Sequence, residues 1–245
     1  MQNKKITLEQ VKANADFRAL IGRANLNLEK MGYTEHGLRH VGYVSRTTAN
    51  ILKELGYDER TVELGAITGW IHDVGNAINR KNHGLSGATL AFELLNKMKM
   101  DMHEIALIIG AIGNHEEETG VPVSEISAAL IIADKSDAHR SRVRRNSYDS
   151  TDIHDRVNMS IKKNSLVVDN EKKTIRLVII MDDTSALMEY LQIYLSRMIL
   201  SEKAAAFLGY SFELVINGAL INRQTGTKTK ITLKASEKQV SEDDN

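Results

Sequence analysis

Seven side chains of metal-binding type fall at intervals that suit successive helices: His36, His40, His72, Asp73, His83, His115 and Asp134. His72 and Asp73 are adjacent near the end of an apolar stretch, with Gly75 just beyond. Imidazole and carboxylate are hard-to-borderline metal ligands, and the set is large enough for two ions. His36 and His40 stand four apart and share one face if their segment is helical. On a continuing helix His72 and Asp73 diverge by ~100°, and both reach a two-ion site if Asp73 bridges the ions and His72 binds one. Asp134 directly follows the apolar run Leu130-Ile131-Ile132-Ala133, where a carboxylate needs a cation or hydrogen-bond donors. A lone buried histidine is more often a hydrogen-bonded core residue than a ligand, so the joint pattern carries the reading: metal-assisted hydrolysis. His103, His139 and His154 lie in polar surroundings and read as surface.

Helices must position these groups. Hydrophobic spacing predicts one helix over 5–31, ended by Gly32, and a second from about Glu35 to Leu55. A third, Asp58 to His72, is apolar enough to be buried centrally. A loop from Gly75 to Asn82 precedes helices at 83–98, at about 101–114, and at 125–138 with Ser124 as its cap. The period then changes. Residues 156–182 have strand character, with Val157, Met159 and Ile161 alternating and a turn at Asp169-Asn170-Glu171. A long helix from about Ser185 to Leu208 follows, with Leu187, Met188, Leu191, Tyr194, Leu195 and Met198 as its apolar stripe, read as core or homodimer interface. Asp182 and Asp183 are expected to cap it. Ser211–Ile216 reads as a strand, and Ile231–Leu233 as a short one.

The fold expected is mainly α, a helical bundle over 1–150 with a small α+β (ββαβ) appendage over 151–233 and a disordered tail over 234–245.

Formal net charge is zero, with Lys+Arg and Asp+Glu both 32 in 245 residues. No global basic field draws the chain to nucleic acid or to a membrane surface, and aromatic residues at 5% argue against a stacking platform for single strands. There is no cysteine, which excludes thiolate sites and disulfides. No apolar run suits a signal sequence or a span, so a cytoplasmic protein without membrane contact is expected. Phosphate recognition must then be local: Arg80, Lys81, Arg142, Arg144 and Arg145 are the candidate substrate contacts.

The segments EHGLRH (35–40), HDVGNAINRKNH (72–83), AIGNH (111–115) and ADKSDAHRSRVR (133–144) resemble the HD-domain metal-dependent phosphohydrolases. That family's minimal pattern, H…HD…D, falls on His40, His72-Asp73 and Asp134. The resemblance implies a helical bundle around a divalent metal, with His36, His83 and His115 as the extra ligands of two-metal members, distantly similar to the HD-GYP phosphodiesterases. The Gly-Tyr-Pro signature is absent and Glu116 follows His115, which argues against cyclic-dinucleotide hydrolysis. With its appendage, the chain looks more like a group of uncharacterised prokaryotic HD proteins.

The resemblance implies hydrolysis of a phosphomonoester or phosphodiester of a small, nucleotide-like substrate, by water activated at one or two divalent ions. Iron or manganese is favoured, with Mg, Co, Ni and Zn also compatible. Asp73, His83 and Lys135 are the expected catalytic residues. The alternatives are a di-iron oxygenase on the same fold and a nucleotide-sensing module.

Overall fold

The computed structural model describes residues 5–144, 146 and 148–222. Arg145, the strand expected at 231–233 and the tail from 234 lie outside the described residues.

The helix expected over 5–31 is two helices, α1 (Leu8–Ala13) and α2 (Ala15–Lys30). Asn14 breaks it: its backbone is extended, and its side chain accepts hydrogen bonds from the N–H groups of Asp16 and Phe17, capping α2. Val11, Phe17 and Ile21 are buried in one core on both sides of the break, so the hydrophobic spacing runs through it unmarked. Next come α3 (Leu38–Glu54), α4 (Glu59–Ile71), α5 (His83–Lys97), α6 (Met102–Gly113) and α7 (Glu125–Lys135). Asp58, Asp101 and Ser124 cap α4, α6 and α7 with side-chain oxygens.

The central helix is α7. Every residue from Ile126 to Ala133 is buried, and α3, α4, α6 and the later long helix Leu187–Phe207 pack around it. A helix apolar on all sides needs such a complete jacket. Gly69 lets α4 lie against α3, since a Cβ there would sit 2.8 Å from the Ser45 backbone.

Part of the region expected to be strand is helix α8 (Ile153–Ser160), which carries Val157 and Met159. Asp152 caps it, accepting from the N–H groups of His154 and Asp155. In so short a helix, alternating apolar residues imitate the period of a strand. Strands β1 (Ile161–Asp169) and β2 (Thr174–Met181) form the expected hairpin. Helix α9 (Leu187–Phe207) then crosses over, so that β3 (Ser211–Ile216) pairs parallel to β2, as a helical connection permits. A short β4 (Ala219–Leu220) returns antiparallel, giving the order β1-β2-β3-β4 among the described residues.

The apolar stripe expected on α9 is only partly its buried face: of its members Tyr194 and Met198 are buried and Leu191 is half-buried. Leu187, Met188 and Leu195 are 40%, 72% and 54% exposed, while Tyr190, Tyr194, Met198, Ser201 and Ala205 are buried. Apolar residues occur all round this helix, so its spacing does not select a face; packing on α7 and β3 does. Nor do Asp182 and Asp183 cap it. Glu189 accepts from the Ala186 N–H and the Ser185 hydroxyl there, and Asp182 pairs with Arg140 and Lys162.

Candidate metal centre

Helix ends, rather than helix faces, deliver the ligand-type side chains. α4 stops at Ile71, His72 is its C-cap, and Asp73 has left the helix at φ −96°, ψ 4°. The divergence expected of two consecutive helical residues therefore does not apply, and both side chains reach one point. Gly75 permits the turn that follows, because a Cβ there would meet the His83 carbonyl oxygen at 1.9 Å. Asn82 adopts a left-handed conformation, φ 58°, and launches α5 at His83. His115 follows the C-cap of α6, and Asp134 lies in the last turn of α7.

Six of the expected ligand residues meet. The Nε2 of His40 lies 3.4 Å from Asp134 Oδ1 and 3.6 Å from Asp73 Oδ2. The Nε2 of His72 lies 3.7 Å from carboxylate oxygens of both aspartates. On the far side of Asp73, Oδ1 is 3.4 Å from His83 Nε2 and 3.9 Å from His115 Nε2. His40, His72 and Asp134 form one group close enough to share an ion, and His72, Asp73 and His115 form an overlapping second group.

The other ring nitrogens fix the tautomers. His72 Nδ1 donates to the Gly69 carbonyl at 3.0 Å, His83 Nδ1 to that of Arg80 at 2.9 Å, and His115 Nδ1 to that of Ile112 at 2.6 Å. Each acceptor lies three residues back, where a chain leaving a helix or turn has carbonyls without partners. His40 Nδ1 instead meets Asp137 Oδ2 at 2.7 Å. Carbonyl and carboxylate oxygens only accept, so all four rings carry a proton on Nδ1 and turn Nε2 inward.

His83 and His115 bring their Nε2 atoms within 3.1 Å of each other. His40 Nε2, His72 Nε2 and Asp73 Oδ2 are buried without any hydrogen-bond partner. Unpartnered acceptors are costly in an interior, and a divalent cation would satisfy them together. The donors are nitrogen and oxygen only, a set that suits Fe, Mn, Co, Ni or Zn better than Ca.

The charges agree. Burial would raise both carboxyls, yet His72, His115 and His83 hold Asp73 well below the usual carboxylate range, and Lys135, His40 and His72 do the same for Asp134. Burial would also strip Lys135 of its proton. The Asp134 carboxylate, 2.7 Å away, and Glu117, 3.2 Å away, outweigh it and raise its pKa.

His36 is placed differently. It precedes α3 rather than sharing a helical face with His40. Its Nδ1 donates to the Thr34 carbonyl at 2.7 Å, and its Nε2 accepts from Arg142 at 2.8 Å. Burial, then the Arg142 guanidinium, push its pKa well down, so it is neutral. It belongs to neither ligand group, but it lines a small polar cleft over the centre, together with Arg80, Lys135 and Arg142. Lys81 is exposed on a neighbouring surface groove. Arg144 turns away to tie down the 33–34 loop, donating to the carbonyls of Asn25, Tyr33 and Thr34.

Several residues here escaped the sequence reading. Asn76 donates to Asp73 Oδ1 at 2.9 Å, and Arg39 grips both oxygens of Asp137. Glu116 lies 3.1 Å from His83 Nδ1. Glu117 and Arg197 line the cleft, 3.1 Å apart. Asn76 follows the His-Asp pair at helical spacing, a signal that was readable; nothing in the sequence announces Arg197.

No family model matches the chain. It is 33% identical over 130 residues to Ribonuclease Y of Mycoplasma mycoides, covering 53% of this chain and 28% of that protein. The ligand-type side chains of His40, His72, Asp73 and Asp134 converge here as the resemblance to the HD-domain phosphohydrolases implies. An uncharacterized protein of Methanocaldococcus jannaschii is 27% identical over 137 residues, covering 47% of this chain and 52% of that one. The chain thus spans between about a quarter and a half of the length of these relatives. Among solved structures, a predicted HD superfamily hydrolase from an uncultured Thermotogales bacterium matches with 23% identity and a TM-score of 0.41, covering 51% of this chain and 67% of that one. Among the described residues, no helix is long and apolar enough to cross a membrane.

Proposed function

We propose that the chain is a metal-dependent phosphohydrolase that cleaves a phosphoester of a nucleotide-like substrate. The convergence of four Nε2 atoms on two ionised aspartates carries this reading. His40, His72, Asp73 and Asp134 would hold one divalent ion, and Asp73, His83 and His115 a second; iron and manganese suit so many imidazoles. Such an ion lowers the pKa of water and neutralises charge on phosphoryl oxygens.

The chain's own residues supply the rest. Asn76 orients Asp73, and Asp137 orients His40. Arg80, Arg142 and Lys135 line the cleft as cations, suited to the non-bridging oxygens of a phosphoryl group. Lys135 keeps its proton beside Asp134 and Glu117 and is placed to hold charge that develops on the ester. Neutral His36, against Arg142, fixes that guanidinium at the cleft wall. The likeness to Ribonuclease Y favours a second reading within the same class, in which the bond cleaved is an RNA phosphodiester.

The test is metal analysis of protein purified without chelator, followed by a phosphate-release and RNA-cleavage screen. One or two ions per chain are expected, with turnover abolished by Asp73→Ala. A chain that holds no transition metal and cleaves no phosphoester under any loading would overturn the proposal.

A further inference from the structure

A cavity of about 250 Å³ adjoins the polar cleft and shares Arg80, Arg142 and Arg197 with it. Its volume lies just under the range of about 300–1,000 Å³ typical of ligand pockets, and it opens on the cleft. One side is the 31–34 loop ahead of α3, with Tyr33; the other comes from α8 and α9, including Asn158, Tyr194 and Arg197. The three guanidiniums therefore stand where the two spaces meet. Three guanidiniums at that boundary favour an anionic group there, while the wider space is lined by both polar and apolar atoms.

Two arginine–tyrosine pairs frame the cavity. The Arg80 guanidinium lies 5.5 Å from the centroid of the Tyr33 ring, and that of Arg197 lies 4.7 Å from the Tyr194 ring. Tyr33 is 42% exposed, so its ring is available to a ligand. Tyr194 is buried, with its hydroxyl donating to Asn158 Oδ1, which braces the wall behind Arg197. Arg197 spends its Nε on Glu117, and its guanidinium borders both spaces. Rings and guanidinium planes of this kind receive flat π-faces.

We propose that this cavity is the pocket for the organic group of the phosphoester, that the group is planar and heteroaromatic, and that Arg197 on α9 is an additional phosphate contact. The proposal rests on the phosphohydrolase reading for its orientation. The α8–α9 region is then part of substrate recognition: it supplies one wall and one of the three arginines. A free nucleotide and the terminal nucleotide of an RNA chain offer the same chemistry.

Calorimetric titration of the chelator-treated 245-residue chain tests this without turnover, using adenosine 5′-monophosphate, ribose 5-phosphate, inorganic phosphate and tetraadenylate RNA. Adenosine monophosphate is expected to bind about tenfold more tightly than ribose 5-phosphate, the scale of one stacked base. Tyr33→Ala removes an exposed ring and no core, and should erase that difference by weakening adenosine monophosphate far more than ribose 5-phosphate. Arg197→Ala should weaken both phosphates about tenfold, as loss of a charged hydrogen-bond donor does. Arg197→Lys, which retains a charge for Glu117, controls for folding and should recover part of the loss. Tighter binding of tetraadenylate than of the mononucleotide, or the reverse, supports the pocket and names the source. Equal affinity for adenosine monophosphate and ribose 5-phosphate overturns the proposal, even in a protein that hydrolyses phosphoesters. A preference for the nucleotide in a protein without turnover would retain the pocket and overturn only the hydrolase reading.

Discussion

Each inward-facing imidazole is held by an acceptor on its outer nitrogen, and the acceptors are not equivalent. Three are backbone carbonyls, which a side-chain substitution leaves in place. The fourth is the Asp137 carboxylate, held ionised against its burial by Arg142, His40 and Arg39. Asp137→Asn should therefore perturb His40 alone among the four and lower metal affinity by about 10–100-fold, as loss of an outer partner to a ligand histidine does. Chelator competition against the parent protein reads this directly. Glu117 makes a pH prediction. Burial opposes its ionisation, but Lys135 and Arg197 bring its pKa from the ordinary 4.5 down to about 2. The folded value lies below the unfolded one. The ionised group therefore stabilises the fold above about pH 4.5, and this contribution is lost as pH falls towards about 2. The melting-temperature gap between the parent and Glu117→Gln should be widest at about pH 6 and close through that window. A gap that stays constant down to about pH 2 would contradict the assignment.

At the scale of elements, the centre depends on where helices stop. His72 ends α4, His83 begins α5, and His115 follows α6, so a shift of any terminus moves a ligand-type nitrogen. The turn after Asp73 packs Gly75 onto the start of α5, with no room for a Cβ against the His83 carbonyl. Gly75→Ala should cost about 1–3 kcal/mol or more through overpacking, measured by urea unfolding, and should reduce metal content at the same time. Loss of stability with metal content intact would show that the turn yields without moving His83. Helix α9 crosses from β2 to β3 and lies along α7, with Arg197 on the side that borders the cleft.

For the molecule as a whole, folding and metal binding are linked. Six ligand-type residues come from the ends or turns of five successive helices, with α7 at the middle of the core, so the unfolded chain has no such site. An ion that binds only the folded state at about 100 times its Kd adds ~2.7 kcal/mol. Calorimetric melting with and without chelator should show a clear upward shift for the parent and none for Asp73→Ala. The same buried acceptors that favour an ion penalise the metal-free fold, so the chelated protein should melt below Asp73→Ala if electrostatic strain outweighs the lost side-chain contacts.

The sequence by itself determined the ligand residue types, their spacing, and most helices. Those signals are local: caps such as Asp58 and Ser124, hydrophobic period, and an aspartate placed against an apolar run. The break at Asn14, the helical turnings of Val157 and Met159, and the buried face of α9 were decided only by the tertiary structure. In each case the local pattern fits two conformations or faces equally, and packing selects one. The same holds for His36, which looked like a partner of His40 until its ring nitrogens met Thr34 and Arg142. Arg197 was beyond the reach of the sequence altogether, since it stands 62 residues or more from the other cleft-lining residues from Asp73 to Lys135 and only the crossover of α9 brings it there.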